Sequence, residues 1–260
     1  MKGFVIPIPR MYQNIAIKNI KRIRSHFNCS VPIEVWEAGR ELEPTVKTEI
    51  ARFGGISFRN TDEFGENAEF WRGFQIKAFA AYHSHFSEFV LCDADVRFLQ
   101  EPLMPFQTDG YKETGSFFFR DLKKWKFSRL GNSKIKFHSI EFFERRKAWI
   151  RSLMPVKSPY FPAEWSYIYD DEIPVNPVAE AYMEAGVVYM DKNIHQDSLQ
   201  AILDMNTQRN VSYSVVHGDK ETWWLGCCIA GRPFYMNHQY PFFIYKLIQT
   251  IGIKPFYVQK

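Results

Sequence analysis

From Phe4 to Cys92 the chain alternates short apolar runs with segments of helical periodicity, and this alternation constrains the fold more than any other feature. Phe4–Ile8 is a strand-length apolar run. After it Ala16, Ile20, Ile23 and Phe27 recur at helical spacing, with Lys18, Lys21, Arg22 and Arg24 off that face. Pro32–Trp36 reads as a second strand. Pro44 opens a helix at its favoured first position and Gly54-Gly55 ends it. Ile56–Phe58 is a third strand. A helix is expected from about Phe70 to Phe86, with Phe74, Ala78, Ala81 and His85 along one side, and Phe89–Cys92 closes the series as a fourth strand. Alternating β and α elements with short links imply an α/β fold whose mostly parallel sheet is flanked by helices. In such sheets ligands sit outside the carboxyl ends of the strands.

Asp93-Ala94-Asp95 falls at such an end. Two carboxylates one residue apart can hold a hard divalent cation, which can in turn neutralise a diphosphate. Their side chains diverge unless the chain turns there, and a pair of surface-loop aspartates is the plain alternative. Placement therefore carries the reading, because the pair alone is a weak motif.

The second half is less regular. Arg120 to Lys157 carries twelve Lys or Arg against three acidic residues, interleaved with Trp125, Phe127, Phe137, Phe142, Phe143 and Trp149. This stretch suits an acceptor-binding lid, a patch for an anionic membrane or an exposed helical face, the last slightly favoured. Ser158 to Pro177 reads as a loop. Val187–Met190 is a strand, followed by a helix near Ser198–Met205 capped by Asp197 or Ser198. A net charge of +4 is too small to argue for nucleic acid. Cys29, Cys92, Cys227 and Cys228 make no C-x-x-C pattern, and reduced thiols are the simplest reading. No run approaches transmembrane length; a soluble chain with reduced cysteines suggests the cytoplasm, in a microbial or viral setting.

Five segments, in this order, resemble the retaining GT-A glycosyltransferases, most closely the fungal α-1,3-mannosyltransferase group and more loosely the glycogenin-like enzymes. They are Trp71–Lys77 leading into Asp93–Asp95, Thr114–Asp121, Glu184–Lys192, Leu203–Asn206 and Gly218–Trp224. The resemblance implies a single GT-A (Rossmann-like) domain over 1–260, with a nucleotide-binding half at 1–108 and an acceptor half at 109–260 that carries a variable insertion at about 120–177. It implies a metal-dependent transferase moving a hexose, with mannose favoured, from a GDP- or UDP-sugar to a glycan hydroxyl. Mn²⁺ or Mg²⁺ would be held by Asp93 and Asp95, with a third ligand at His238, or failing that His217. Lys77 would reach donor phosphate or sugar. Ala94, Ala185 and Gly186 would lie against the donor, the last two in a turn. Asp219, with Glu221 beside it, would position the transferred sugar or the acceptor hydroxyl. Arg10 and Tyr12 qualify for the nucleotide by position alone.

Each candidate has a bland counterpart: a solvated helix lysine for Lys77, a strand-entry turn for Gly186, helix caps for Asp219 and Glu221, and an ordinary polar residue for His238. Two departures stand out. The family usually shows Ser-Gly where this chain has Ala185-Gly186, and its fungal members carry a membrane anchor and stem that are not read here, though a peripheral membrane contact remains compatible. Two rival functions share these features. One is a catalytically idle glycan- or nucleotide-sugar-binding protein, against which the intact Asp93, Asp95 and Asp219 argue. The other is a sugar nucleotidyltransferase, whose Gly-rich loop is poorly matched by Pro7-Ile8-Pro9-Arg10.

Overall fold

The computed structural model describes residues 1–121, 139–174 and 182–239, with the backbone of the strand pair Phe242–Phe243 and Tyr257–Val258. The alternation of the first part is realised as β1 (Lys2–Pro7), α1 (Gln13–Ser25), β2 (Ile33–Glu37), α2 (Pro44–Ala51), β3 (Ile56–Asn60), α3 (Ala68–Trp71), α4 (Ile76–His83) and β4 (Glu88–Cys92). There follow α5 (Asp109–Thr114), β5 (Ser116–Arg120), α6 (Ile140–Leu153), β6 (Met183–Asp191), α7 (Lys192–Thr207), α8 (Arg209–Ser212) and α9 (Thr222–Ile229). Six strands form one sheet in the order β3-β2-β1-β4-β6-β5. The pairs among β1 to β4 are parallel, with Phe4 opposite both Ile33 and Val90. β6 runs antiparallel to both β4 and β5. This is the expected mixed, mostly parallel α/β sheet.

Side chains alternate between the two faces of the strands, so each face has its own core. On one face Phe4, Ile6, Ile33, Val35 and Val90 pack with Ala16, Ile20 and Ile23 of α1. On the other, Val5, Trp36, Leu91 and Val188 pack with Ala78 and Phe79 of α4, Ile202 of α7 and Trp223 of α9. The basic residues of α1 stay outside, as its spacing predicts. Truncating a fully buried residue such as Ile20 to alanine costs about 2–5 kcal/mol.

Several local expectations need correction. The helix expected over 70–86 is interrupted: Arg72 is extended (ψ 138°) and Gly73 has φ +102°. Glycine reaches that region without a Cβ penalty, so the chain breaks between α3 and α4. Ala78 and Ala81 are buried, whereas Phe74 is 53% exposed and His85 lies beyond the helix. The strand expected at Val187–Met190 is longer, and Ala185-Gly186 lies inside it rather than in a turn. α7 starts earlier than expected, capped by Asp191, whose carboxylate accepts from Asn193 N at 2.9 Å.

The basic aromatic stretch also differs where it is described. α6 buries Phe142, Phe143, Trp149 and Ile150, and even Arg146 and Lys147 are under cover, so this helix belongs to the core rather than to an exposed face. The stretch read as a loop contains a 3-10 helix, Ala163–Ile168, that buries Trp165 completely. Trp125, Phe127, Phe137 and the end of the insertion near Pro177 lie outside the described residues. No helix among the described residues is long and apolar enough to cross a membrane.

Candidate functional site

Strand order reverses between β1 and β4, because β1 leads outward to β2 and β3 on one side while β4 leads to β6 on the other. A crevice outside the strand ends is expected at such a switch point. Arg10 and Tyr12 form a short 3-10 turn after β1, and Asp93 follows β4, so both groups border this crevice. Beyond β4 the chain does turn: Val96 N donates to Asp93 O at 3.0 Å, with Ala94 and Asp95 in the bend. Ala94 is buried in the core and its carbonyl accepts from Asn19 Nδ2 at 2.9 Å, while Asp95 is exposed.

The antiparallel β6 brings the Ala185-Gly186 segment to the same point. Asp93 N donates to Gly186 O at 2.9 Å. Lys77 reaches in from α4, and its Nζ lies 3.2 Å from Asp93 Oδ1, 3.0 Å from Asp219 Oδ2 and 3.0 Å from Ala185 O. An ammonium has three protons, and here three acceptors take them. Lys77 and Asp219 are buried, at 7% and 1% side-chain exposure, while Asp93 keeps 37%. Asp93 Oδ2 lies beside the bare Cα of Gly186, 3.8 Å from where a Cβ would stand. Asp219 Oδ2 also accepts from Trp223 Nε1 at 2.9 Å.

Electrostatics follow this arrangement. Burial opposes the charge of Lys77, but Asp219 and Asp93 more than offset it and hold its pKa above the ordinary lysine value. Burial pushes the Asp93 carboxyl up to about 6, against the opposing pull of Lys77. A second ion cluster adjoins the first. Lys220 Nζ bridges Asp121 Oδ2 at 2.7 Å and Glu184 Oε2 at 2.8 Å, and Glu184 Oε1 accepts from Gly186 N at 3.0 Å. Burial disfavours the Lys220 charge, and Glu184 with Asp121 again raises its pKa overall. From sequence, Glu184 entered only as the start of the turn expected at Ala185-Gly186, and Lys220 and Asp121 only as members of the resembling segments. Their spacing along the chain gives no sign that they meet: β5–β6 pairing brings Asp121 near Glu184, and the turn before α9 adds Lys220.

The remaining candidates are placed elsewhere. Glu221 is 3% exposed, and its carboxylate accepts from Tyr182 N at 3.0 Å and from Trp224 Nε1. Burial pushes its pKa up to about 7, partly opposed by those two donors. It sits at the N-cap position of α9 but makes no capping bond. Arg10 is exposed and lies 3.5 Å from Glu43, and Tyr12 is 39% exposed. His238 stacks edge-on with Tyr235, in a segment tied to β5 by Phe118 N to Tyr235 O and Asn237 N to Phe118 O. His217 flanks Phe74. Among the described residues no three His, Cys, Asp or Glu side chains converge as a metal site, so neither histidine joins Asp93 and Asp95 there. The donor set still suits Mg²⁺ or Mn²⁺, hard cations bound through one or two carboxylates with a diphosphate and water completing the shell.

This geometry can be set beside known proteins. Residues 1–250 match the family described as "Mannosyltransferase putative". Among curated Candida albicans proteins, "Putative alpha-1,3-mannosyltransferase MNN12" is 32% identical over 92% of this chain and 31% of its own length. "Putative alpha-1,3-mannosyltransferase MNN1" is 27% identical over 88% of this chain and 25% of its own length. The chain thus spans between a quarter and a third of these relatives. The structure of the mannosyltransferase Ktr4p from S. cerevisiae superposes with a TM-score of 0.55 at 12% identity, covering 87% of this chain and 65% of Ktr4p. Core-mannan synthase A from Aspergillus fumigatus, in an Mn/GDP form, gives 0.52 at 11% identity, over 87% of this chain and 69% of that one. The fold is that of the GT-A glycosyltransferases. The chain belongs to the mannosyltransferase family.

Proposed function

We propose that this member of the family is a metal-dependent, retaining mannosyltransferase that takes its sugar from GDP-mannose and delivers it to a hydroxyl of a glycan. One observation supports this most: Lys77 ties Asp93 to the buried Asp219 at the switch point of the sheet while the Asp93 side chain stays 37% exposed. The donor follows from the relatives: the family is one of mannosyltransferases, and a protein of the same fold has been crystallised with Mn and GDP.

Asp93 and Asp95 would hold the cation. When bound, it would supply positive charge to the departing diphosphate. The chain's own residues do the rest. Lys77, with its protons committed, holds Asp93 and Asp219 in place rather than reaching the donor. Glu184 and Lys220 pin the stretch of β6 beside Asp93. Among the described residues Asp219 and Glu221 are buried with their oxygens taken by Lys77, Trp223, Tyr182 and Trp224, which favours attack on the same face. The bond from the sugar C1 to the phosphate oxygen breaks as the acceptor oxygen bonds to C1, and the acceptor proton passes to the departing phosphate oxygen. Asp219, buried and shared by Lys77 and Trp223, acts by positioning.

The test is hydrolysis and transfer by purified protein with a panel of GDP- and UDP-sugars, with Mn²⁺ and with EDTA. GDP release from GDP-mannose that needs Mn²⁺ and disappears in Asp93→Ala is the expected result. Metal-independent release, or none from any sugar nucleotide, would overturn the reading.

A further inference from the structure

Phe74 is an aromatic ring held in place yet turned to water. It is 53% exposed, although it stands three residues before Lys77, to whose N–H its carbonyl accepts at 3.1 Å. Its ring lies against Gly218, the residue before Asp219. Gly218 has φ +59°, and a Cβ there would come within 2.9 Å of Phe74 Cδ2. The missing side chain is what lets the ring settle against that turn. His217, also exposed, is 6.2 Å away between ring centroids. Phe74 is thus tethered from both directions to the pair Lys77–Asp219.

Its location relative to the cation carboxylates is informative. Phe74 meets the chain at Gly218, the residue before Asp219, and Lys77 pairs with both Asp219 and Asp93. With the diphosphate assigned to the Asp93–Asp95 bend by the proposed function, the Asp219 side, which the ring adjoins through Gly218, is left for the acceptor. A fixed, solvent-facing aromatic there offers the apolar face that the C–H side of a pyranose ring can cover, while its surroundings supply hydrogen-bonding groups.

Resting on the proposed function, we propose that Phe74, with His217 beside it, is the platform on which a pyranose ring of the glycan acceptor stacks. Phe74 is then a specificity-determining residue for the acceptor and not for the donor.

The experiment measures separate KM values for GDP-mannose and for mannobiose as acceptor, with Mn²⁺, in wild type, Phe74→Ala and Phe74→Trp. Tyr160→Ala, another exposed aromatic, serves as control. Saturation-transfer NMR of mannobiose without donor gives a readout independent of catalysis. Phe74→Ala should raise the mannobiose KM about tenfold and abolish the NMR signal, while the GDP-mannose KM moves less than about twofold. Phe74→Trp should restore both readouts to near wild type. An equal rise in both KM values, an unchanged mannobiose KM, or no rescue by tryptophan would overturn the inference, as would no NMR signal from the wild type. If mannobiose binds through Phe74 but no sugar is transferred, the proposed function fails and the platform stands.

Discussion

Asp219 and Glu221 are two residues apart and both buried, yet they serve opposite kinds of cluster. Asp219 joins Lys77 and Asp93, a group that ends in a half-exposed carboxylate at the mouth of the sheet. Glu221 turns the other way. Its carboxylate is consumed by Tyr182 N and Trp224 Nε1, in an interior where Arg146 donates to Val215 O at 2.7 Å and lies over the Trp165 ring. Burial and shifted pKa values are common to both clusters. What separates a candidate site from a structural network is whether the chain of bonds leaves an acceptor oxygen facing solvent.

The contrast can be tested by removing one group at a time. Asp93→Ala should lower kcat/KM for GDP-mannose by about a thousandfold while leaving the unfolding midpoint within a few degrees; a loss of stability as large as the loss of activity would erase the distinction. Lys77→Met should leave Asp219 buried without its counter-charge and cost about 3 kcal/mol in denaturant unfolding. Adding Asp219→Asn to that variant should recover part of the loss, which a merely additive pair would not do. Glu221→Gln should retain activity within about threefold and alter the pH dependence of stability instead. Its folded pKa of about 7 lies above the ordinary 4.5, so its stabilising contribution is full below pH 4.5 and is lost as pH rises to 7. Unfolding free energies measured across that window should fall in wild type relative to the glutamine variant. His238→Ala is expected to do least, below about threefold in kcat/KM, because among the described residues the ring packs on Tyr235 and joins no cluster with Asp93. A hundredfold loss there would mean that donor binding rearranges the segment after Tyr235.

The first part of the fold was legible because β1, β2 and β3 alternate with helices whose apolar periods are local and unambiguous, and the Asp93 bend lies at the end of that series. The direction of β6 was not legible. An apolar strand carries no mark of parallel or antiparallel pairing, and the neighbours of Val187–Met190 come from distant sequence. Phe74 fitted a helical period that Gly73 interrupts, so a residue expected on the buried side emerged exposed. Charge misled in a similar way at α6, where Arg146 spreads over Phe142 and Trp165 instead of facing water. Lys77 was recognisable as a candidate from the resemblance, but its saturation by Asp93, Asp219 and Ala185 O needed the three-dimensional arrangement.

The antiparallel register of β4 and β6 sets Cys92 opposite Val187, so the next rung delivers Gly186 O to Asp93 N and leaves Ala185 O for Lys77. Site spacing is therefore measured out by strand pairing, as graduations are on a ruler. A slip of a single notch would exchange the two faces of β6 and misplace both carbonyls together. One register thus sets both the pairing of the sheet and the placement of the two carbonyls at the candidate site.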